Sequence, residues 1–216
     1  MSVVRALLAE RVKRLLAPLR YPQPVPELDV DRLYLYLDTL WHTRDVPGAV
    51  VEIGCFQCGT SAWAARFLRS IGRPRPYVCV DTFSGFPDDQ FRDDVRVGTD
   101  ASHRRGFGAN SRALVAQLLE RWECSSIQLV QADIVALAAE TLPEHIAVAL
   151  VDVDLQAPTR AALEKIHPRL APHGAILVDD CAENGSFRGA RLAYSEFVAE
   201  HRLPERYAFG MGCIGR

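Results

Sequence analysis

Val50–Pro87, VVEIGCFQCGTSAWAARFLRSIGRPRPYVCVDTFSGFP, reads in order as strand, glycine-bearing loop, helix, strand and acid. Residues 49–53 are apolar apart from Glu52, Gly54 and Gly59 bracket the loop, and residues 60–68 have the spacing of a helix. Residues 77–80 form a second short apolar run. Asp81 stands at its C-terminal end, where a carboxylate can accept hydrogen bonds from the two hydroxyls of a ribose. That order describes a nucleotide-type pocket. The loop is Glu52-x-Gly54-x-x-x-x-Gly59 rather than G-x-G-x-x-G, with fewer glycines and an acid at the strand's end. It offers less room for a pyrophosphate and more for a ligand with a cationic head.

Working outward, 216 residues with 49% hydrophobic and 24% charged side chains suit a single globular domain with one sizeable core. A net charge of −2 leaves no basic face of the kind nucleic acid requires, so no nucleic-acid partner is expected. The six cysteines are scattered, and there is neither a signal-peptide pattern nor a run of 18 apolar residues. The expected compartment is a reducing cytoplasm, without membrane insertion. Cys55-x-x-Cys58 invites a redox or zinc reading, but no second pair supports zinc and the motif lies inside the glycine loop.

Residues 1–20 are amphipathic, with Val4, Leu7, Leu8, Val12, Leu15 and Leu16 at helical spacing. A packing helix, as lid or homodimer contact, is expected there ahead of a lipid-binding one. Residues 21–26, YPQPVP, read as a stiff linker, and a helix is expected over 29–42. Residues 1–45 therefore form an N-terminal helical extension, and residues 46–216 the ligand-binding catalytic domain. In that domain helices are expected over 111–122 (capped by Asn110), 158–170 and 187–200, and strands over 127–130, 146–151 and 175–178. Residues 207–214 add one or two closing strands broken by Gly210 and Gly212. The fold class is α/β, a Rossmann-like, doubly wound and mostly parallel sheet. Residues 85–109 are polar, glycine-containing and without periodicity, and read as a mobile substrate lid at the C-terminal edge of the sheet.

Asp152 and Asp154 follow one apolar strand and Asp179 and Asp180 follow another. Strand ends converge on one rim in this topology, and four carboxylates there repel unless a cation shares the site. Magnesium fits such oxygen ligands and can lower the pKa of a bound hydroxyl. One of the four is expected to serve only as a helix cap.

These residues carry a resemblance. VEIGCFQCGTS, VDTFSGFP, RRGFGANS, TLP at residues 141–143, VDVDLQAPT and LVDDC, in this order and spacing, resemble the macrocin O-methyltransferase family of class I S-adenosylmethionine-dependent methyltransferases. The resemblance spans roughly residues 50–197. It implies that Glu52, Gly54 and Gly59, with Thr60 and Ser61, cradle the methionine part of S-adenosylmethionine, and that Asp81 and Thr82 hold the ribose. Asp133 would lie by the adenine. Asp152, Asp179 and Asp180 match the family's magnesium ligands, with Asp152 also facing the cofactor, and Asp154 matches an acid suited to act as general base. The spacing from Asp152 to the Asp pair, 27 and 28 residues, is similar to that in the catechol O-methyltransferase type. Gln156 stands where the family carries Tyr, and Cys181-Ala182 where it carries Tyr-Gly. The chain is also shorter at both ends than sugar-modifying members, so a smaller acceptor is expected.

The expected activity is methyl transfer to a small natural-product intermediate in secondary metabolism, at a sugar hydroxyl or a small anionic group such as phosphonate or carboxylate. Asp154 is the expected base and His103 a second candidate; His103, Arg104 and Arg105 could face an anionic acceptor. Two alternatives stand beside this: a catalytically silent methyltransferase-like scaffold, and a nicotinamide-dependent oxidoreductase, against which the missing G-x-G-x-x-G and the extra aspartates count.

Overall fold

A computed structural model describes residues 22–215 together with Val12 and Leu16. The N-terminal helix expected over residues 1–20 falls, apart from those two positions, outside the described residues.

Seven strands form one sheet in the order β3-β2-β1-β4-β5-β7-β6. They are β1 Ala49–Ile53, β2 Tyr77–Asp81, β3 Gln128–Gln131, β4 Ile146–Val151, β5 Leu170–Val178, β6 Tyr207–Ala208 and β7 Met211–Gly215. β1 to β5 run parallel, and the β6–β7 hairpin closes the edge antiparallel to β5. Gly212 sits inside β7 and pairs with Val178 rather than breaking the strand. The chain leaves β1 toward β2 and β3 and returns to β4 on β1's other side. The C-terminal ends of β1 and β4 therefore flank the crevice where open α/β sheets bind ligands.

Alternation along each strand builds two cores. Val50, Cys79, Val148 and Leu150 face a layer with Tyr36, Ala62, Leu68 and Leu118, from helices α1 Val30–His42, α2 Gly59–Ser70 and α4 Arg112–Arg121. Val51, Ile53, Val80, Val151 and Ile176 face Leu163, Ile166, Tyr194 and Phe197, from α5 Gln156–Ile166 and α6 Gly189–Glu200. Both faces are covered, which is why β1 and β4 are buried along their whole length. Helix α1, part of the N-terminal extension, shares the first core through Tyr36 and Leu40. Among the described residues no helix is long and apolar enough to cross a membrane.

Residues 85–109 differ from the expected structureless lid. They contain helix α3, Asp88–Arg96, and a 3-10 turn, Ala101–Arg105. The cap of α4 is also corrected: Ser111 accepts the Leu114 amide at 3.2 Å. Asn110 instead donates to the Phe56 carbonyl at 2.6 Å, tying this segment to the glycine loop.

Candidate active site

A cavity of about 270 Å³ opens at the C-terminal rim, under α3 and beside the loops after β1, β2, β4 and β5. Gly54, at the end of β1, has φ +82°, and a Cβ there would stand 1.8 Å from the Asp152 carbonyl. Only glycine lets the two strand ends close to this distance. Gly59 begins α2, and a Cβ on it would lie 1.7 Å from the Val25 carbonyl. The linker therefore crosses directly over the helix N-terminus. There the Glu27 carboxylate accepts the Thr60 amide at 3.1 Å, while the Glu27 amide donates to Thr60 Oγ1 at 3.1 Å.

Glu52 lines the cavity and is almost fully buried; its Oε2 accepts from Tyr77 at 2.6 Å and from Ser61 at 2.8 Å. Tyr77 in turn bonds Tyr36 at 2.8 Å. Burial first, and the neighbouring Cys79 second, push the Glu52 carboxyl well above its ordinary pKa. Ser61 and Gly59 thus stand one layer behind the cavity wall, whereas Glu52, Gly54 and Thr60 form it. Cys55, Cys58 and Cys79 gather beneath the loop with their sulfurs within 4.8 Å, all buried and unoxidised.

Asp81 accepts from the amides of Cys55 and Phe56 at 2.9 Å each and of Phe83 at 2.6 Å, anchoring the loop to β2. Burial raises its pKa and the three amides oppose the rise. Thr82 lines the wall beside it and donates to the Gly85 carbonyl at 2.8 Å. Asp133 faces the cavity too, holding the Val135 amide at 2.9 Å and Gln90 of α3 at 2.6 Å. The segment over the cavity is strapped down at further points. Asp94 accepts the Gln156 amide at 2.6 Å at the start of α5 and pairs with Thr99, which takes the Arg188 amide at 3.3 Å before α6. Phe86 stacks on Phe91 and packs against Phe107 and Phe187.

At the opposite end Asp152, Asp154, Asp179 and Asp180 converge as expected, and all four line the cavity. The cation facing them is Arg32 of α1, whose Nη1 donates to both oxygens of Asp179 at 2.9 Å and to Asp180 at 3.3 Å. Burial and Asp180 push the Asp179 carboxyl up to about 6 against the pull of Arg32. Asp152 is driven well above its ordinary range by burial and by Asp179, and Asp154 by burial and its bond to Asp180. Carboxylate oxygens of Asp152, Asp154 and Asp180 lie within 4.8 Å of one another. His103 does not line the cavity; its ring packs on Phe187 at 4.8 Å. Arg104 pairs with Asp88, and with Arg105 it lines a separate shallow depression.

A doubly wound sheet of this order, with its ligand crevice at the β1–β4 switch, defines the class I S-adenosylmethionine-dependent methyltransferase fold. Residues 30–208 match the family described as Macrocin-O-methyltransferase (TylF), and the chain belongs to that family. Among curated proteins it is 32% identical over 147 residues to the 8-demethyl-8-(2,3-dimethoxy-alpha-L-rhamnosyl)-tetracenomycin-C 4'-O-methyltransferase of Streptomyces olivaceus, covering 63% of this chain and 54% of the relative. The chain thus spans about half the length of that relative. Among solved structures it is similar to the O-methyltransferase NovP, with TM-score 0.76 and 19% identity over 98% of this chain and 99% of the other. It is also similar to CalS11, a calicheamicin methyltransferase, with TM-score 0.70 and 25% identity over 100% and 93%.

Glu27, Arg32 and Gln90 escaped the sequence reading. Glu27 follows the linker and Arg32 lies in the first turn of α1, where no local pattern marks a pocket residue. Gln90 belongs to a helix with only Phe91 and Val95 to show its period, although acids at its first turn and Arg96 at its last do mark its ends.

Proposed function

We propose that the protein transfers the methyl group of S-adenosylmethionine to a hydroxyl of a small natural product or its sugar. The observation that carries this reading is the occupant of the α2 N-terminus. Dinucleotide-binding folds place a pyrophosphate there. Here the Val25 carbonyl and the Glu27 carboxylate hold that position. Among the described residues eight acids and one cation, Arg32, line the cavity. That charge balance favours a sulfonium and an ammonium over phosphates and argues against a nicotinamide cofactor.

S-adenosylmethionine, when bound, supplies an electrophilic methyl group. Glu52, Gly54, Glu27 and Thr60 would hold its methionine part, Asp81 and Thr82 the ribose, and Asp133 the adenine edge. The acceptor would lie between these groups and the aspartates, under Phe86, Phe107 and Phe187, which exclude water. Asp154 would take the hydroxyl proton. Asp152, Asp154 and Asp180 are hard oxygen donors spaced to fit a divalent ion such as magnesium, which would lower the pKa of a bound hydroxyl. In this arrangement Asp179 is the acid held by Arg32. A neutral sugar hydroxyl fits better than an anionic acceptor, because the lining is acidic and Arg104 and Arg105 lie outside it. The rhamnosyl position in the relative's name accords with this.

The test is methyl transfer from S-adenosylmethionine to a panel of deoxysugar glycosides and small acids, with and without magnesium, read by mass spectrometry. Methylated sugar product supports the proposal; no transfer to any acceptor, despite cofactor binding, points to the scaffold reading. A homodimer built on the N-terminal extension is part of the same proposal. Light scattering should show a smaller particle when residues 1–20 are removed, and an unchanged dimer would sink that part.

A further inference from the structure

The N-terminal segment places a carboxylate on the cavity wall, and the proposed function leaves its chemistry open. Glu27 lines the cavity beside Glu52 and Thr60 and is exposed to solvent. Its bonds to Thr60 use Oε2, whereas a carboxylate can accept about four hydrogen bonds. Glu52, the other acid at this end, already takes two hydroxyl donors and is closed off from solvent. The guanidinium of Arg32, the cationic group in the cavity lining, is committed to Asp179 and Asp180. Two neighbouring carboxyl groups with no cation between them among the described residues make a site suited to a positive partner.

Resting on the methyltransferase reading, we infer that Glu27 is the specificity-determining acceptor for the α-ammonium group at the amino-acid end of the cofactor. The linker carries Glu27 over the first turn of α2, and the amide and hydroxyl of Thr60 fix its direction. Glu52 supplies the negative field from behind. A ligand carboxylate is kept away from the α2 N-terminus because Glu27 already holds it. The pocket therefore reads the amino acid by its ammonium end. The residue as a whole is exposed, yet desolvation of its carboxyl, the largest influence, raises it to about 7 against the Thr60 and Gly59 donors that lower it.

The alternative is that Glu27 only caps α2, and a cycle of protein and ligand changes separates the two. Calorimetric titration of wild type and Glu27→Gln is run with S-adenosylhomocysteine and with its desamino analogue, which keeps the carboxylate and loses the ammonium. The expected result is an affinity loss of about 10- to 100-fold for S-adenosylhomocysteine on Glu27→Gln, from one charge-assisted hydrogen bond. For the desamino analogue the loss should be under about 3-fold, well below the charge-assisted range. Glu27→Asp, which keeps the charge one methylene further back, should fall between wild type and Glu27→Gln for the first ligand. Equal losses for both ligands, or none, would overturn the ammonium assignment in favour of the cap. If wild type binds neither ligand, the methyltransferase reading itself fails.

Discussion

At the β4–β5 end of the cavity two of the four aspartates, Asp179 and Asp180, hold the guanidinium of Arg32, whereas among the described residues no cation lines the β1 end beside Glu27 and Glu52. Both ends are acidic, yet one is partly neutralised before any ligand arrives. The difference separates two tasks. On the proposed function the β1 end would take a cationic ligand group, and the other would orient its carboxylates for an acceptor.

The comparison is broken most severely at Asp154. Asp154→Asn should lower turnover by about 10²- to 10⁴-fold, the usual span for a lost general base, while S-adenosylhomocysteine binds within about 2-fold of wild type. Equal loss of binding would place Asp154 at the cofactor end. Next comes Arg32→Met, which leaves Asp179 without its partner and should cost about 2–4 kcal/mol in urea unfolding at neutral pH. Asp179 then has a folded pKa above its unfolded value, so stability is retained at low pH and lost as pH rises through the folded pKa. Without the lowering pull of Arg32 the carboxyl lies above the value of about 6 it has beside the guanidinium, so the variant should begin to recover on acidification from above pH 6. A neutral effect would mean that the aspartates do not need their counter-ion.

Tyr77→Phe removes one of the two hydroxyl donors to Glu52 and should cost about 1–3 kcal/mol, the price of a buried acceptor left short. The gentlest probe is pH. Glu27 is raised from 4.5 to about 7, though solvent screens this exposed residue, and Glu52 is raised as well, so the ligand-free protein should lose some stability as pH rises from 4.5 through 7. The gain in melting temperature from S-adenosylhomocysteine should grow across the same window. A gain independent of pH would argue that no cation meets these acids.

Much of the fold was legible because both faces of the sheet are covered, so strands such as 49–53 and 146–151 are continuous apolar runs between turn signals. The converging aspartates were legible for the same reason, since each follows such a strand. What was hidden depends on contacts across long sequence separations. Arg32 reaches Asp179 from 147 residues away. Glu27 meets Thr60 across 33 residues. Helix α3 is polar because it buries little beyond Phe91 and Asp94, so hydrophobic periodicity is nearly silent there. His103 was attractive as a titratable residue in a loop over the site, but packing against Phe187 holds it outside the cavity wall.

On the proposed function the cavity takes an adenosyl ligand with a cationic head and refuses a dinucleotide. Calorimetric titration of the whole chain with S-adenosylhomocysteine, and separately with nicotinamide adenine dinucleotide, distinguishes the two. Saturable, stoichiometric binding of the first and none of the second is expected; binding of the dinucleotide alone would overturn the methyltransferase reading.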